Sequence, residues 1–369
     1  MASKVKLFVE NVSSFNSFAL EILLPYFDEI KVLPNNNEDD IVFYIDYHPS
    51  LDIKSSIEKL STDTLGFIRK NKSKIFILTE GFDMFGNIPE IFEQNNNVES
   101  IAYWKILSEL ASHGIAEEQL YIISSNYGYD AEIKQLASRE VKWLGKTYDV
   151  KAKFLYFNEY LSLYTKENNK VKDIDKIKFL FSSLANGRPA IHRYKFTKKL
   201  YDNGLHEHGK ISMVKMDGPD LEFNKLLPIV FDESHNLWIE RKDEEYLFED
   251  TSIWISNETF LNQPNIKGYT EKTIKPIYYK SPFMINGCKG LLELLRQDGF
   301  QTFNSVWDES YDQMSDIDDR QDHIIKVLKS LEAKTPRQLY EETLPIVTHN
   351  YNHLMSIDAG EKINKFFTG

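Results

Sequence analysis

The stretch Gly268-Tyr269-Thr270-Glu271-Lys272-Thr273-Ile274-Lys275-Pro276-Ile277 puts one carboxylate and two amines on one short expected helix. Between residues 265 and 283 there are four lysines (Lys267, Lys272, Lys275, Lys280) and a single acid, Glu271, in a chain of formal net charge −12. A local positive site in an acidic chain points to an anionic ligand, and a nucleoside diphosphate is a good candidate. Thr270 is an expected N-cap for a helix starting at Glu271. The plain alternative is an i,i+4 surface ion pair between Glu271 and Lys275, worth about 0.3–0.5 kcal/mol. Two features oppose it: Lys272 is unfavourable in a first helical turn, and Pro276 is expected to bend the helix. A carboxylate accepting from a ribose diol, with a lysine on the adjacent phosphate, accounts for both charges.

A second basic segment lies upstream. From Gly187 to Leu200 there are five basic residues (Arg188, Arg193, Lys195, Lys198, Lys199) and no acid. A strand, a small-residue loop and a helix start carrying two arginines together read as an anion pocket, where guanidinium groups hold a diphosphate in bidentate fashion. The alternative is a solvated basic helix face, and Lys198 and Lys199 are read as surface residues.

These residues need a frame. Short apolar runs at 5–9, 41–45, 75–78, 120–123 and 154–157 read as strands. Helical spacing occupies 18–30, 55–70 and 100–112. Apolar strands alternating with helices predict a parallel sheet covered on both faces, a Rossmann-like doubly wound domain. Residues 164–177 are polar and charged and read as a linker. The pattern then restarts, with strands expected at 178–181, 210–214, 252–255 and 282–285 and helices at 190–201, from Tyr269 onward and at 291–296. From Ile317 to Phe367 the chain reads as mostly helical. The expected division is an N-terminal domain over 1–163, the linker over 164–177, a second Rossmann-like domain over 178–334, and C-terminal helices over 335–369, for which packing back on the first domain is one option. Two α/β domains in tandem predict a cleft, with chemistry in the loops beyond the strand ends.

Composition narrows the class. The 369 residues are 42% hydrophobic and 13% aromatic, enough for packed cores. Acidity argues against coating nucleic acid by charge alone. The one cysteine, Cys288, forms no internal disulfide, which favours a reducing compartment. No run approaches the roughly 18 apolar residues of a membrane helix. A soluble cytoplasmic protein is expected.

Tyr269-Thr270-Glu271-Lys272 resembles the Y-V-T-E-K donor motif of α1,3-fucosyltransferases. The longer stretch resembles a wider set of glycosyltransferase-like proteins, several of them viral. Here it reads Thr270 to Ile277, Pro282-Phe283, Gly287, Leu292, Leu295-Arg296, Gly299-Phe300, Thr302-Phe303 and Asp308-Glu309-Ser310-Tyr311-Asp312. The similarity runs from about residue 178 to 330. It implies the GT-B architecture, two Rossmann-like domains with the sugar nucleotide held mainly by the C-terminal one. It further implies Glu271 on the ribose, Lys272 with Arg188 or Arg193 on the diphosphate, and Asn257 or Glu258 near the donor; Lys275, on the same expected helix, is a further donor-binding candidate. The tyrosine lies one residue closer to the glutamate than in fucosyltransferases, so the resemblance carries neither base stacking by Tyr269 nor GDP-fucose as the donor.

The expected activity is transfer of a sugar from a nucleoside-diphosphate sugar to an acceptor hydroxyl, of a glycan or of a hydroxymethylated base in phage DNA. Lysine and arginine can stabilise the departing diphosphate without a metal, and no metal or further cofactor is expected. Inversion needs a base for the acceptor hydroxyl. Asp46, after the second strand, and Glu80, after the third, are the first choices. The rival readings are a two-domain protein that binds a nucleotide or phosphosugar without turnover, and an interaction protein descended from a transferase. Plainer expectations cover the rest: Asp308-Glu309 and Asp316 to Asp319 as caps, Cys288 as structural, His206 with His208 as a solvated turn, His349 with His353 as interface or surface, and Trp307 as core or cleft-facing.

Overall fold

The computed structural model describes residues 5–10, 20, 23–33, 41–45, 57–79, 102–124, 127, 150–164, 172–185, 190–230, 245–258 and 268–369. The chain divides into two compact units: Met1–Leu163, Asn265–Gly268 and Asp358–Gly369 in one, Tyr164–Pro264 and Tyr269–Ile357 in the other. It is an α/β protein built on parallel sheets.

The first unit holds β1 (Lys6–Phe8), β2 (Asp28–Ile30), β3 (Ile41–Tyr44), β4 (Lys74–Thr79), β5 (Leu120–Ser124) and β6 (Lys153–Tyr156), with helices α1 (Thr62–Asn71) and α2 (Ala102–Ser112). The strand order is β2-β1-β3-β4-β5-β6. The strand pairs are parallel, with β1 between β2 and β3. The apolar runs are explained by burial on both faces. Ile41, Phe43, Ile75, Ile77, Leu120 and Ile122 meet Ile68, Ile106 and Leu110 of α1 and α2 on one side. Their sequence neighbours Val42, Tyr44, Phe76, Leu78, Tyr121 and Ile123 form the other core, completed by Ile363 and Phe367 near the C-terminus.

Two expected helices are corrected in their extent. Within 18–30, Leu20 and Leu23 are helical, and a 3₁₀ turn at Leu24–Tyr26 then leads into β2, so the helix does not run on to Ile30. Pro25 lacks the N–H that an α-helix needs there and restrains the residue before it. Within 55–70, Ser61 is extended and its side chain accepts from the Thr64 N–H, so α1 starts afresh at Thr62.

The second unit holds β7 (Phe179–Ala185), β8 (Gly209–Met213), β9 (Thr251–Asn257) and β10 (Phe283–Asn286) in the order β10-β9-β7-β8. Its longer helices are α3 (Ile191–Asp202), α4 (Glu271–Tyr278), α5 (Leu291–Gln297), α6 (Ile317–Leu331) and α7 (Pro336–Ser356), and α8 (Ala359–Thr368) returns to the first unit. The four strands are parallel. From β7 the chain steps outward to β8, then crosses back past β7 to β9 and β10. The winding reverses between β7 and β9, and ligands of open parallel sheets sit beyond the carboxyl ends of strands at such a reversal.

Candidate functional site

The carboxyl ends of β7, β9 and β10 carry Ser183, Asn257 and Asn286, all buried. Asn286 Nδ2 donates to Asn257 Oδ1 at 2.9 Å, and Asn257 Nδ2 donates to Ser183 Oγ at 2.9 Å. These polar side chains tie three strand ends together, and the next residue after β9 is Glu258.

Glu258 is 2% exposed. Its carboxylate accepts from the Thr270 N–H at 3.0 Å, the Thr270 hydroxyl at 2.7 Å and the Thr273 hydroxyl at 2.6 Å. A carboxylate at a helix N-terminus is favoured by the macrodipole and by the unsatisfied N–H groups there. Glu258 therefore clamps the start of α4. Thr270 is the N-cap, accepting from the Lys272 N–H at 3.3 Å.

Pro276 lies inside α4, where it has no N–H for the Lys272 carbonyl. The Ser256 hydroxyl donates to that carbonyl at 2.8 Å instead. Ser256 is in β9, so the proline-interrupted helix is fastened to the strand that carries Asn257 and leads into Glu258. Thr273, Ile274, Pro276 and Ile277 are buried. Glu271, Lys272 and Lys275 are half-buried. Lys272 Nζ lies 2.8 Å from Glu271 Oε1. Burial pushes the Glu271 carboxyl up, but Lys272 and Lys275 outweigh it and hold the group below the usual glutamate range.

Arg193, on the first turn of α3, is 6% exposed and donates from Nη2 to the Glu258 carbonyl at 3.4 Å. Burial lowers its pKa, while the charges of Glu258 and Glu271 oppose that shift. Beside it, burial and the Arg193 charge push the His192 imidazole down to about 4, against a hydrogen bond with the Glu258 backbone. His192 is thus neutral, and the local cation is Arg193. This set can neutralise an anion next to a carboxylate that accepts hydroxyl protons.

Of the expected site residues, Arg193 is on α3, Asn257 ends β9, Glu258 follows it directly, and Glu271, Lys272 and Lys275 are on α4, all in the second unit. Asp46, Glu80 and Arg188 lie outside the described residues. Sequence reading missed Ser183, Ser256, Asn286 and Gln321. Asn286 carried a faint signal, a polar residue closing an apolar strand just before Gly287. A side chain at Gly287 would meet the Leu291 side chain at 2.5 Å and that of Ile285 at 2.9 Å, so a larger residue there displaces its neighbours. Gln321 gave no signal, for it lies in the charged run Asp318-Asp319-Arg320-Gln321-Asp322.

Several motif residues are structural. Tyr269 is buried and donates to Asp298 Oδ2 at 2.7 Å. Trp307 is buried and stacks on Phe303. Glu309 is no simple cap: it is buried and accepts from the Phe303 N–H at 2.6 Å and from Arg296 at 3.0 Å. Asp316 caps α6 by accepting from the Asp318 and Asp319 N–H groups. Asp308 and Ser310 both meet the same nitrogen, Nε2, of His323, so they do not form a proton relay through the ring. No group of three or more His, Cys, Asp or Glu able to hold a metal ion occurs among the described residues. Nor is any described helix long and apolar enough to cross a membrane.

No protein-family model matches the chain, and no curated protein matches it. Solved structures do. The DNA-modifying enzyme β-glucosyltransferase, determined with and without its substrate uridine diphosphoglucose, is similar over 99% of this chain and 100% of its own, with TM-score 0.46 and 14% identity. An α1,3-fucosyltransferase with GDP-fucose is similar over 97% of this chain and 92% of its own, with TM-score 0.37 and 11% identity. A second α1,3-fucosyltransferase structure gives TM-score 0.34 at 11% identity over the same shares. These neighbours are glycosyltransferases. At this level of likeness no residue correspondence follows.

Proposed function

We propose that the chain is a GT-B glycosyltransferase that moves a sugar from a nucleoside-diphosphate sugar to an acceptor hydroxyl, without a metal ion. One observation carries the reading: Glu271 and Lys272 open a helix that Glu258 and Ser256 fasten at the β7/β9 winding reversal, beside buried Arg193. In this reading Glu271 accepts from the ribose diol, and Lys272, with Lys275, Arg193 and Arg188, takes the diphosphate. Asn257 and Glu258 act from beneath, by holding the strand end and the helix start.

The reaction breaks the bond from the anomeric carbon to the diphosphate oxygen and forms one to the acceptor oxygen. The leaving diphosphate gains negative charge, which preorganised cations stabilise most in the transition state. Asp46 and Glu80 are the proposed bases for the acceptor proton. Each follows a carboxyl strand end of the first sheet, and Asp46 follows β3, which with β1 brackets that sheet's own winding reversal. The proposed acceptor is a glycan or a hydroxymethylated base of DNA.

The test is a thermal-shift screen against UDP, GDP, CDP, ADP and their sugars, followed by turnover with the donor that binds. A ligand at a hundred times its dissociation constant raises stability by about 2.7 kcal/mol. A shift with one nucleotide family and release of its diphosphate on adding acceptor supports the reading. Binding with no turnover on any acceptor favours the binding protein, and no shift with any nucleotide removes the donor site.

A further inference from the structure

Gln321 stands in the most charged part of α6, yet it is 0% exposed. Its Nε2 donates to the His192 carbonyl at 3.1 Å and to Asn286 Oδ1 at 3.2 Å. Asn286 passes the polarity on to Asn257 at 2.9 Å. Asn257 in turn uses its amide hydrogens on Ser183 Oγ at 2.9 Å and the Leu184 carbonyl at 3.4 Å. The chain of donors runs one way, from α6 through β10 and β9 to β7. Each amide orientation follows from the next, because an amide NH₂ only donates and an amide oxygen only accepts.

The two ends of this chain meet the two halves of the candidate site. The His192 carbonyl precedes Arg193, and Asn257 precedes Glu258, the clamp on α4. Gln321 thus touches the first turn of α3 directly and reaches the Glu258 arm through two asparagines.

Stability alone does not account for it. Gln321 Oε1 is buried and accepts no hydrogen bond among the described residues. A buried carbonyl left without a donor costs free energy, which offsets part of what the two bonds donated by Nε2 contribute. What the amide supplies is direction, since its two donated hydrogen bonds fix one arrangement where an apolar contact permits several.

We infer that Gln321 is a positioning residue, which sets the separation between the basic first turn of α3 and the Glu258–α4 arm. Its consequence for ligand affinity rests on the donor-site reading above. Its consequence for local order does not.

The experiment compares the full-length wild type with Gln321→Met and Asn286→Asp. Denaturant midpoints, UDP and GDP affinities by calorimetry, and amide hydrogen exchange over 191–195 and 255–258 are measured on each. Gln321→Met leaves Asn286 Oδ1 without its donor and so lowers the midpoint; it also exchanges faster in both segments than elsewhere in the second unit, and binds the preferred diphosphate roughly tenfold more weakly or worse, since small displacements at a preorganised site are costly. Asn286→Asp still accepts from Gln321 but no longer donates to Asn257. It speeds exchange at 255–258 and spares 191–195. A purely structural role lowers the midpoint and speeds exchange evenly across the second unit, with the affinity of the folded protein unchanged. Unchanged exchange in Gln321→Met overturns the inference, and so does unchanged affinity where the wild type binds. If the wild type binds neither diphosphate, the screen across all nucleotides decides the donor reading, and the exchange comparison alone decides the role of Gln321.

Discussion

The Ser256 hydroxyl donates to the Lys272 carbonyl at 2.8 Å, in the place where residue 276 would donate if it were not proline. A helix interruption and a strand hydroxyl thus form one unit. Ser256→Ala leaves a partly buried carbonyl without its donor and is expected to cost about 1–3 kcal/mol. In a Pro276→Ala background the residue 276 N–H can take that carbonyl, so Ser256→Ala then costs less. A double-mutant cycle by urea unfolding measures the difference, and additive losses refute the pairing.

Lys272→Ala and Glu271→Ala are each expected to abolish measurable donor binding. Neither is expected to lower the thermal midpoint much, because a half-exposed ion pair contributes only about 0–1 kcal/mol. Calorimetric titration with the nucleotide found by screening checks this, and affinity that survives both changes moves the site elsewhere. Because Glu271 titrates below ordinary glutamate, its share of binding persists through mildly acidic pH and fades only below the usual glutamate range.

Lys172 lies 2.5 Å from the Thr251 carbonyl and over the Tyr340 ring, and burial lowers its pKa to about 7, with Asp250 opposing. The unfolded chain keeps this lysine protonated to about pH 10.4. Between these values the unfolded state binds the extra proton, so stability rises with pH. It is lost as pH falls through the folded value. Lys172→Met removes this term. Urea midpoints between pH 7 and 10 rise in the wild type and rise less in the variant; parallel profiles refute the assignment.

Asp46→Asn and Glu80→Gln separate the two proposed bases. Loss of the true base lowers kcat about 10²- to 10⁴-fold with little change in donor KM. The other variant stays within a few-fold of the wild type. Steady-state kinetics on the donor found by screening reads this directly, and two silent variants place the base on another residue.

Much of the frame was legible. The apolar runs around Ile41, Ile75, Leu120, Phe179, Ile253 and Phe283 are strands because both faces of each sheet are covered, and continuous apolarity is the mark of that burial. The helix cap at Thr270 was also legible, being a local matter of hydroxyl and N–H. β2 was not: Phe27 to Ile30 fits a helical spacing as well as a strand, and only its pairing with β1 selects one.

The charged motif told less about roles. The family resemblance puts Glu271 on the ribose and Asn257 or Glu258 near the donor. In three dimensions Glu258 has its carboxylate taken up by Thr270 and Thr273, and Asn257 is an interior link between strands. Glu271 and Lys272 stay at the half-buried helix start.

The sequence by itself determined which segments bury on both sides, where α4 begins and that positive charge gathers around Glu271, because these depend on local pattern and composition. Only the tertiary structure decided that β7 and β9 adjoin at a winding reversal, and that Ser256, Asn286 and Gln321 hold that end of the sheet. Those contacts join residues far apart in the chain, and a buried amide or hydroxyl has no sequence mark until its partner is in place.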